Sequence, residues 1–133
     1  MKAKETRQIS VFLRNQPGMV AELCNRLRDA DLSIRAMSVI DTADIGTMRI
    51  ILDEWERAQE VLREAAVAYI LVPVLCLEIP DSPGAFAAIA QTMANAGVNI
   101  EYVYATALPG NAKSLGVFRV NDIDTALKLE YPD

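Results

Sequence analysis

Two short stretches carry the residues best suited to hold a small ligand. They are Asn15-Gln16-Pro17-Gly18-Met19 and, 66 positions later, Asp81-Ser82-Pro83-Gly84-Ala85-Phe86. Each lies between a run of alternating apolar residues and a run with helical apolar spacing. A strand that turns through Pro-Gly into a helix leaves N–H groups at the helix N-terminus without acceptors, and the helix dipole adds to their attraction for an anion. The donors expected here are the N–H groups of Gly18, Met19 and Val20, and of Gly84, Ala85 and Phe86. Asn15, Asp81 and, further on, Asn99 can receive an ammonium group. Charge-assisted hydrogen bonds of this kind contribute about 1.5–3 kcal/mol each. Glycine, expected at the second helical position with Pro17 at the first and Gln16 at the cap, lets a ligand approach the backbone with no Cβ in the way. This is chemistry for holding a zwitterion, such as a free amino acid.

Catalysis is poorly provided for. The 133-residue chain has no histidine, which removes Ser-His-Asp and Cys-His mechanisms and the commonest zinc ligand. Cys24 and Cys76 lie far apart, one on a helical stripe and one in a strand, and are expected to be reduced, buried thiols. No enzyme activity, cofactor or metal is expected. Charged residues make up 23% and the net charge is −5, so nucleic acid and anionic membrane are not the expected partners. The longest apolar runs fall well short of the roughly 20 residues that span a bilayer. A cytoplasmic location is the expectation.

Residues 8–14 alternate, with Ile9, Val11 and Leu13 on one face, and read as a strand. Val20, Leu23, Cys24 and Leu27 then share one helical face. Strands follow at 32–40 and 47–52 around a polar turn, then a helix with Ala58, Val61, Leu62 and Ala65 inward, then a strand at 67–72 before Pro73. From Val74 the order begins again: Leu75, Leu77 and Ile79 alternate; Phe86, Ile89, Ala90 and Met93 make a helical stripe; Gly97 is a left-handed stop. Strands at 98–106 and 114–120, joined across 107–113, precede a last helix containing Ile123, Ala126 and Leu127.

Shifting by 66 places Leu75, Leu77, Ile79, Pro83, Gly84, Ile89, Met93, Val98 and Ile100 on Ile9, Val11, Leu13, Pro17, Gly18, Leu23, Leu27, Leu32 and Ile34. Agreement in chemical type at all nine identifies an internal duplication. Each half is a split β-α-β unit, so the fold class is α+β: ferredoxin-like βαββαβ twice over, with antiparallel sheets and helices on one face. The expected modules are residues 1–72 and 73–133. The second copy ends before its fourth strand, so it either lacks that strand or borrows an edge from elsewhere. Too small to bury much alone, the modules are expected to pack together.

With Asn15-Gln16-Pro17-Gly18-Met19-Val20 followed by Leu32-Ser33-Ile34, and Asp81-Ser82-Pro83-Gly84-Ala85-Phe86 followed by Ala96-Gly97-Val98-Asn99-Ile100, the chain resembles the ACT domain, a ferredoxin-like regulatory module that binds amino acids. It is most similar to stand-alone bacterial proteins built of two such modules. The resemblance implies a ligand held where two modules meet side by side, lined by the turn after the first strand and by the start of the second strand. It thereby adds Ser33, Ile34, Asn99 and Ile100 to the turn residues. Ser33 departs from the pattern, offering a hydroxyl where the family often has an amide. The function implied is a non-catalytic sensor for a free amino acid or a similar small carboxylate. A regulatory subunit of an amino-acid biosynthetic enzyme, binding no ligand itself, is the alternative. An uncovered edge and an open sheet face make a homodimer expected, and an enzyme partner is compatible with either reading.

Overall fold

The computed structural model describes residues 1–42, 44–106 and 113–132. The element order is β1 (Lys4–Arg14), α1 (Met19–Asp29), β2 (Ile34–Thr42), β3 (Ile45–Leu52), α2 (Trp55–Glu64), β4 (Tyr69–Pro80), α3 (Ala85–Asn95), β5 (Ile100–Thr106), β6 (Lys113–Val120) and α4 (Ile123–Lys128). The expected β-α-β-β-α-β pattern is present twice, with β4 closing the first pass and opening the second. Residues 107–112, most of the connection expected between β5 and β6, lie outside the described residues. Two compact units result: Arg7–Val72, and Pro73–Asp133 together with Met1–Thr6.

In the first unit the antiparallel order is β2-β3-β1, with Ile9 opposite Ile50, Arg14 opposite Ile45 and Ile34 opposite Leu52. The chain entering β4 lies on the other side of β1, where Phe12 N–H donates to Ala68 O at 3.0 Å. Alternation sends Ile9, Val11, Leu13, Met48, Ile50 and Leu52 to one face, under Leu23 and Leu27 of α1 and Ala58 and Leu62 of α2. Leu23 and Leu27 stand one helical turn apart and are at most 2% exposed. Burying each contributes about 2 kcal/mol. The opposite face is not simply wet: Gln8 and Ser10 are buried there, and Gln8 Nε2 donates to Ser10 Oγ at 3.0 Å.

The second unit has the order β5-β6-β4, with Ile100 opposite Val120 and Pro80 opposite Lys113. Its fourth strand is not missing. The beginning of β1 lies beside β4, and residues Met1–Thr6 belong to this unit rather than to the first. Met1 and Ala3 pack on the core formed by Leu75, Leu77, Ile89, Met93, Phe118 and Tyr131, and the Met1 amine donates to Tyr131 O at 3.0 Å. Tyr131 in turn donates its hydroxyl to Ala126 O at 2.7 Å. Nor does Pro73 end a strand, as the sequence suggested; β4 runs through it. Proline withholds only an N–H, and its carbonyl is still used, by Arg119 Nη1 at 3.2 Å.

Helix ends follow local chemistry. Gly97 takes φ 75° after α3, and its N–H and that of Val98 close on Ala94 O and Met93 O. This is the Schellman arrangement that glycine favours. Asp31 after α1 and Ala66 after α2 adopt the same left-handed conformation, with φ 59° and 55°. The short α4 is opened by Asp122, whose carboxylate accepts from Thr125 N–H at 3.1 Å and Thr125 Oγ1 at 2.6 Å. Those bonds hold the Asp122 carboxyl below its ordinary range.

Candidate functional site

The two turns take almost the same shape. Gly18 has φ 88° and ψ −9°, and Gly84 has φ 83° and ψ −2°; both are left-handed, and each is the N-cap of the helix that follows. The cap therefore falls two residues later than the sequence suggested, with Gln16, Pro17, Ser82 and Pro83 in the turn itself. Only glycine adopts this conformation without cost. An added Cβ would meet nothing within 4 Å at either position, so space does not demand glycine; the backbone does. Replacing Gly18 or Gly84 by alanine is expected to lower stability by about 1–2 kcal/mol. A urea titration of each variant measures this.

Neither helix is capped by a side chain. The first helical bonds are Glu22 N–H to Gly18 O and Ala88 N–H to Gly84 O, both at 2.9 Å. Met19 N–H already points at Gln16 O, at 3.4 Å, and Ala85 N–H at Ser82 O, at 3.2 Å. These two leave the expected donor set. Val20 and Ala21, and Phe86 and Ala87, have N–H groups without helical acceptors. All of Asn15, Gln16, Pro17 and Gly18 are exposed, as are Asp81, Ser82, Pro83 and Gly84. Phe86 is 42% exposed and stacks on Phe118, with ring centroids 5.8 Å apart.

The residues expected at the start of the second strand do not join the turn of their own unit. Asn15 follows the end of β1, which is paired with the beginning of β3 through Arg14 and Ile45. Ser33 and Ile34 lie at the start of β2, opposite Leu52 at the far end of β3. A nine-residue strand separates the two places by roughly 25 Å. The second unit repeats this: Asp81 follows Pro80, opposite Lys113, whereas Ile100 is opposite Val120. Within each unit the antiparallel register therefore keeps Asn15 apart from Ser33, and Asp81 apart from Ile100.

What the first turn does meet is the end of the β2–β3 hairpin. Asn15 N–H donates to Asp44 O at 3.0 Å, and Asn15 Nδ2 donates to Asp41 Oδ1 at 2.8 Å. Asn15 is thus a tether between turn and hairpin as well as a candidate ligand residue. Asp41 was not singled out in the sequence; the signal that could have found it is the topology, since β1 must end beside that hairpin. Asn99 is held through its backbone: its N–H donates to Asn121 Oδ1 at 2.8 Å, and its carbonyl accepts from Asn121 N–H at 3.1 Å. Cys76 is a poor nucleophile, because burial pushes its thiol up to about 11. Among the described residues no cluster of three metal-ligating side chains occurs, and no helix is long and apolar enough to cross a membrane.

The arrangement is matched by known proteins. The model of the ACT domain pair family matches residues 4–130. A search among curated proteins found no match. Among solved structures, a protein from Bacteroides thetaiotaomicron is 28% identical with a TM-score of 0.88, over 95% of this chain and 86% of that one. The ligand-free regulatory subunit of aspartate kinase from Thermus thermophilus is 16% identical with a TM-score of 0.68, over 96% and 93% of the two chains. Its counterpart from Thermus flavus is 17% identical with a TM-score of 0.62, over 96% and 94%. The two Thermus proteins share the fold. A family match across nearly the whole sequence, on a duplicated ferredoxin-like frame, shows that this chain belongs to the ACT domain pair family.

Proposed function

We propose that the protein is a non-catalytic regulator that binds a free amino acid or a similar small carboxylate at its Pro-Gly turns. One observation carries this reading. Two helices 66 residues apart are each opened by an exposed, uncapped, left-handed glycine at a strand end, and the space above each glycine is open. Such a helix start offers N–H groups and a positive dipole end to a carboxylate. Binding then stabilises the folded state in proportion to occupancy, by about 2.7 kcal/mol when the ligand is at a hundred times its dissociation constant. A thermal-shift screen of the twenty amino acids is expected to find at least one that raises Tm, with the shift reduced in Asp81→Ala or Asn15→Ala. No shift from any of them at millimolar concentration overturns the proposal.

A second reading is supported by the shared fold with the regulatory subunits of aspartate kinase from Thermus species. Here the protein regulates an amino-acid biosynthetic enzyme by binding it, without a ligand of its own. Co-purification with such an enzyme, unchanged when both turns are altered, supports this alternative.

A further inference from the structure

On the open face of the first unit's sheet, away from α1 and α2, apolar side chains collect at the end nearest the turn. Strand pairing aligns Ile40 of β2, Thr47 of β3 and Phe12 of β1 in one row, and Ile45 with Arg14 in the next. Directly paired residues share a face, and Phe12 and Arg14 alternate with Leu13, which points into the helix-covered core. Ile70 joins them from the other side of β1. Ala68 O receives the Phe12 N–H and Tyr69 packs on the helix-side core, so Ile70 turns to the open face. Phe12 is 38% exposed, Ile40 39%, and Ile45 and Ile70 52% each. Together they leave on the order of 300 Å² of apolar surface, a size that on soluble proteins often marks a contact site.

The duplication supplies an internal control. The matching row of the second unit is Thr106, Leu115 and Glu78, and Lys113 stands opposite Pro80 where Ile45 stands opposite Arg14. Glu78 and Lys113 pair at 3.9 Å with both side chains mostly in water. The same strands are built there with charge at these positions, so the fold does not require the apolar set. Charge also indicates what covers it. Arg14 and Asp44 are both exposed, and neither side chain has an ion pair or hydrogen bond among the described residues. They border the same end of the patch: Arg14 lies opposite Ile45, and Asp44 precedes Ile45 in the chain. A flat apolar surface with one free cation and one free anion on its border is complementary to itself, as a two-fold interface requires. A partner surface of one sign would leave one of the two unmatched.

We propose that this face pairs with the same face of a second copy of the chain. Phe12, Ile40, Ile45 and Ile70 form the centre of the contact, and Arg14 of each copy meets Asp44 of the other. The pairing stands whether or not the turns bind a ligand. The apolar centre is under half of the roughly 800 Å² that each partner buries in a standard interface, so the dimer is weak, half-formed at about 100 µM. Sedimentation velocity of the full chain between about 5 and 500 µM brackets that value, and dimers are expected to appear across the range. Phe12→Ser/Ile40→Ser is expected to weaken association tenfold or more with the far-UV circular dichroism unchanged. Should that variant unfold, Ile45→Ser/Ile70→Ser at the two most exposed positions reads the same loss. Arg14→Glu and Asp44→Lys should each weaken the dimer, and the two together should restore it. A chain that stays monomeric throughout overturns the proposal, as does a charge swap that fails to restore association. A dimer that persists in the apolar double variants but is lost in Val39→Lys, on the outer strand β2, places the contact on the sheet edge and overturns it too.

Discussion

Removing residues 1–6 will destabilise the second unit and leave the first largely folded. Those six residues supply the strand that flanks β4, and Met1 and Ala3 cover the core at Leu75, Leu77 and Tyr131. Deleting them strips neighbouring backbone of ladder bonds worth about 0.5–1.5 kcal/mol each and exposes apolar surface at about 25 cal/mol per Å². A loss of about 3 kcal/mol or more is the expected total, a large share of what holds a module of this size. Hydrogen exchange reads it directly: amides of β4 and β6 should lose protection, while those of β3 and α2 keep theirs. The bared edge of β4 should also promote association, visible by size-exclusion chromatography. Unchanged protection across β4 would mean that the first residues are an appendage and that the second unit stands on three strands.

That strand was hard to see in the sequence for a physical reason. Lys4-Glu5-Thr6-Arg7 shows no apolar alternation, and a strand that contributes backbone pairing more than side-chain burial leaves no such pattern. Where side chains carry the energy, the sequence was legible. Leu23 with Leu27 and Ile89 with Met93, matched across the duplication, are all at most 2% exposed. Gly97 stops α3 as its backbone freedom implied, whereas Asp31 and Ala66 do the same work with no glycine to mark them. Gln8 and Ser10 are buried on the face opposite Ile9, Val11 and Leu13; period-2 alternation distinguishes faces but not whether the second one is covered.

The candidate site was legible in its turns and not in its assembly. Pro-Gly after a strand locates a helix start by local chemistry alone, and both Gly18 and Gly84 proved to be left-handed caps. Which residues face each turn is a question of register. The antiparallel pairing puts Asp41 and Asp44 beside Asn15 and sends Ser33 to the other end of β2.

Phe118→Ala is expected to be the costliest single change in the second unit, at about 3–5 kcal/mol. The ring is fully buried on β6, opposite Leu75 on one side and Val103 on the other. It also occupies the space over Gly116, where an added Cβ would lie 2.9 Å from Phe118 Cε1 and 2.6 Å from Ile79 Cδ1. Gly116→Ala alone should therefore cost about 1–3 kcal/mol by overpacking. In the Phe118→Ala background it should cost less, because one of its two clashing neighbours is gone. A double-mutant cycle should show coupling above about 0.5 kcal/mol, and additive effects would refute this account of the packing. Phe118 also holds the stacked ring of Phe86, the second residue of α3 and two positions beyond Gly84. Phe86→Ala removes the stacking with little core damage, at about 0.5–1.5 kcal/mol. If the turn binds a carboxylate, Phe86→Ala should loosen the start of α3 and weaken binding beyond what its stability cost alone explains. Binding that follows stability only would show that Phe86 packs the core and does nothing for the turn.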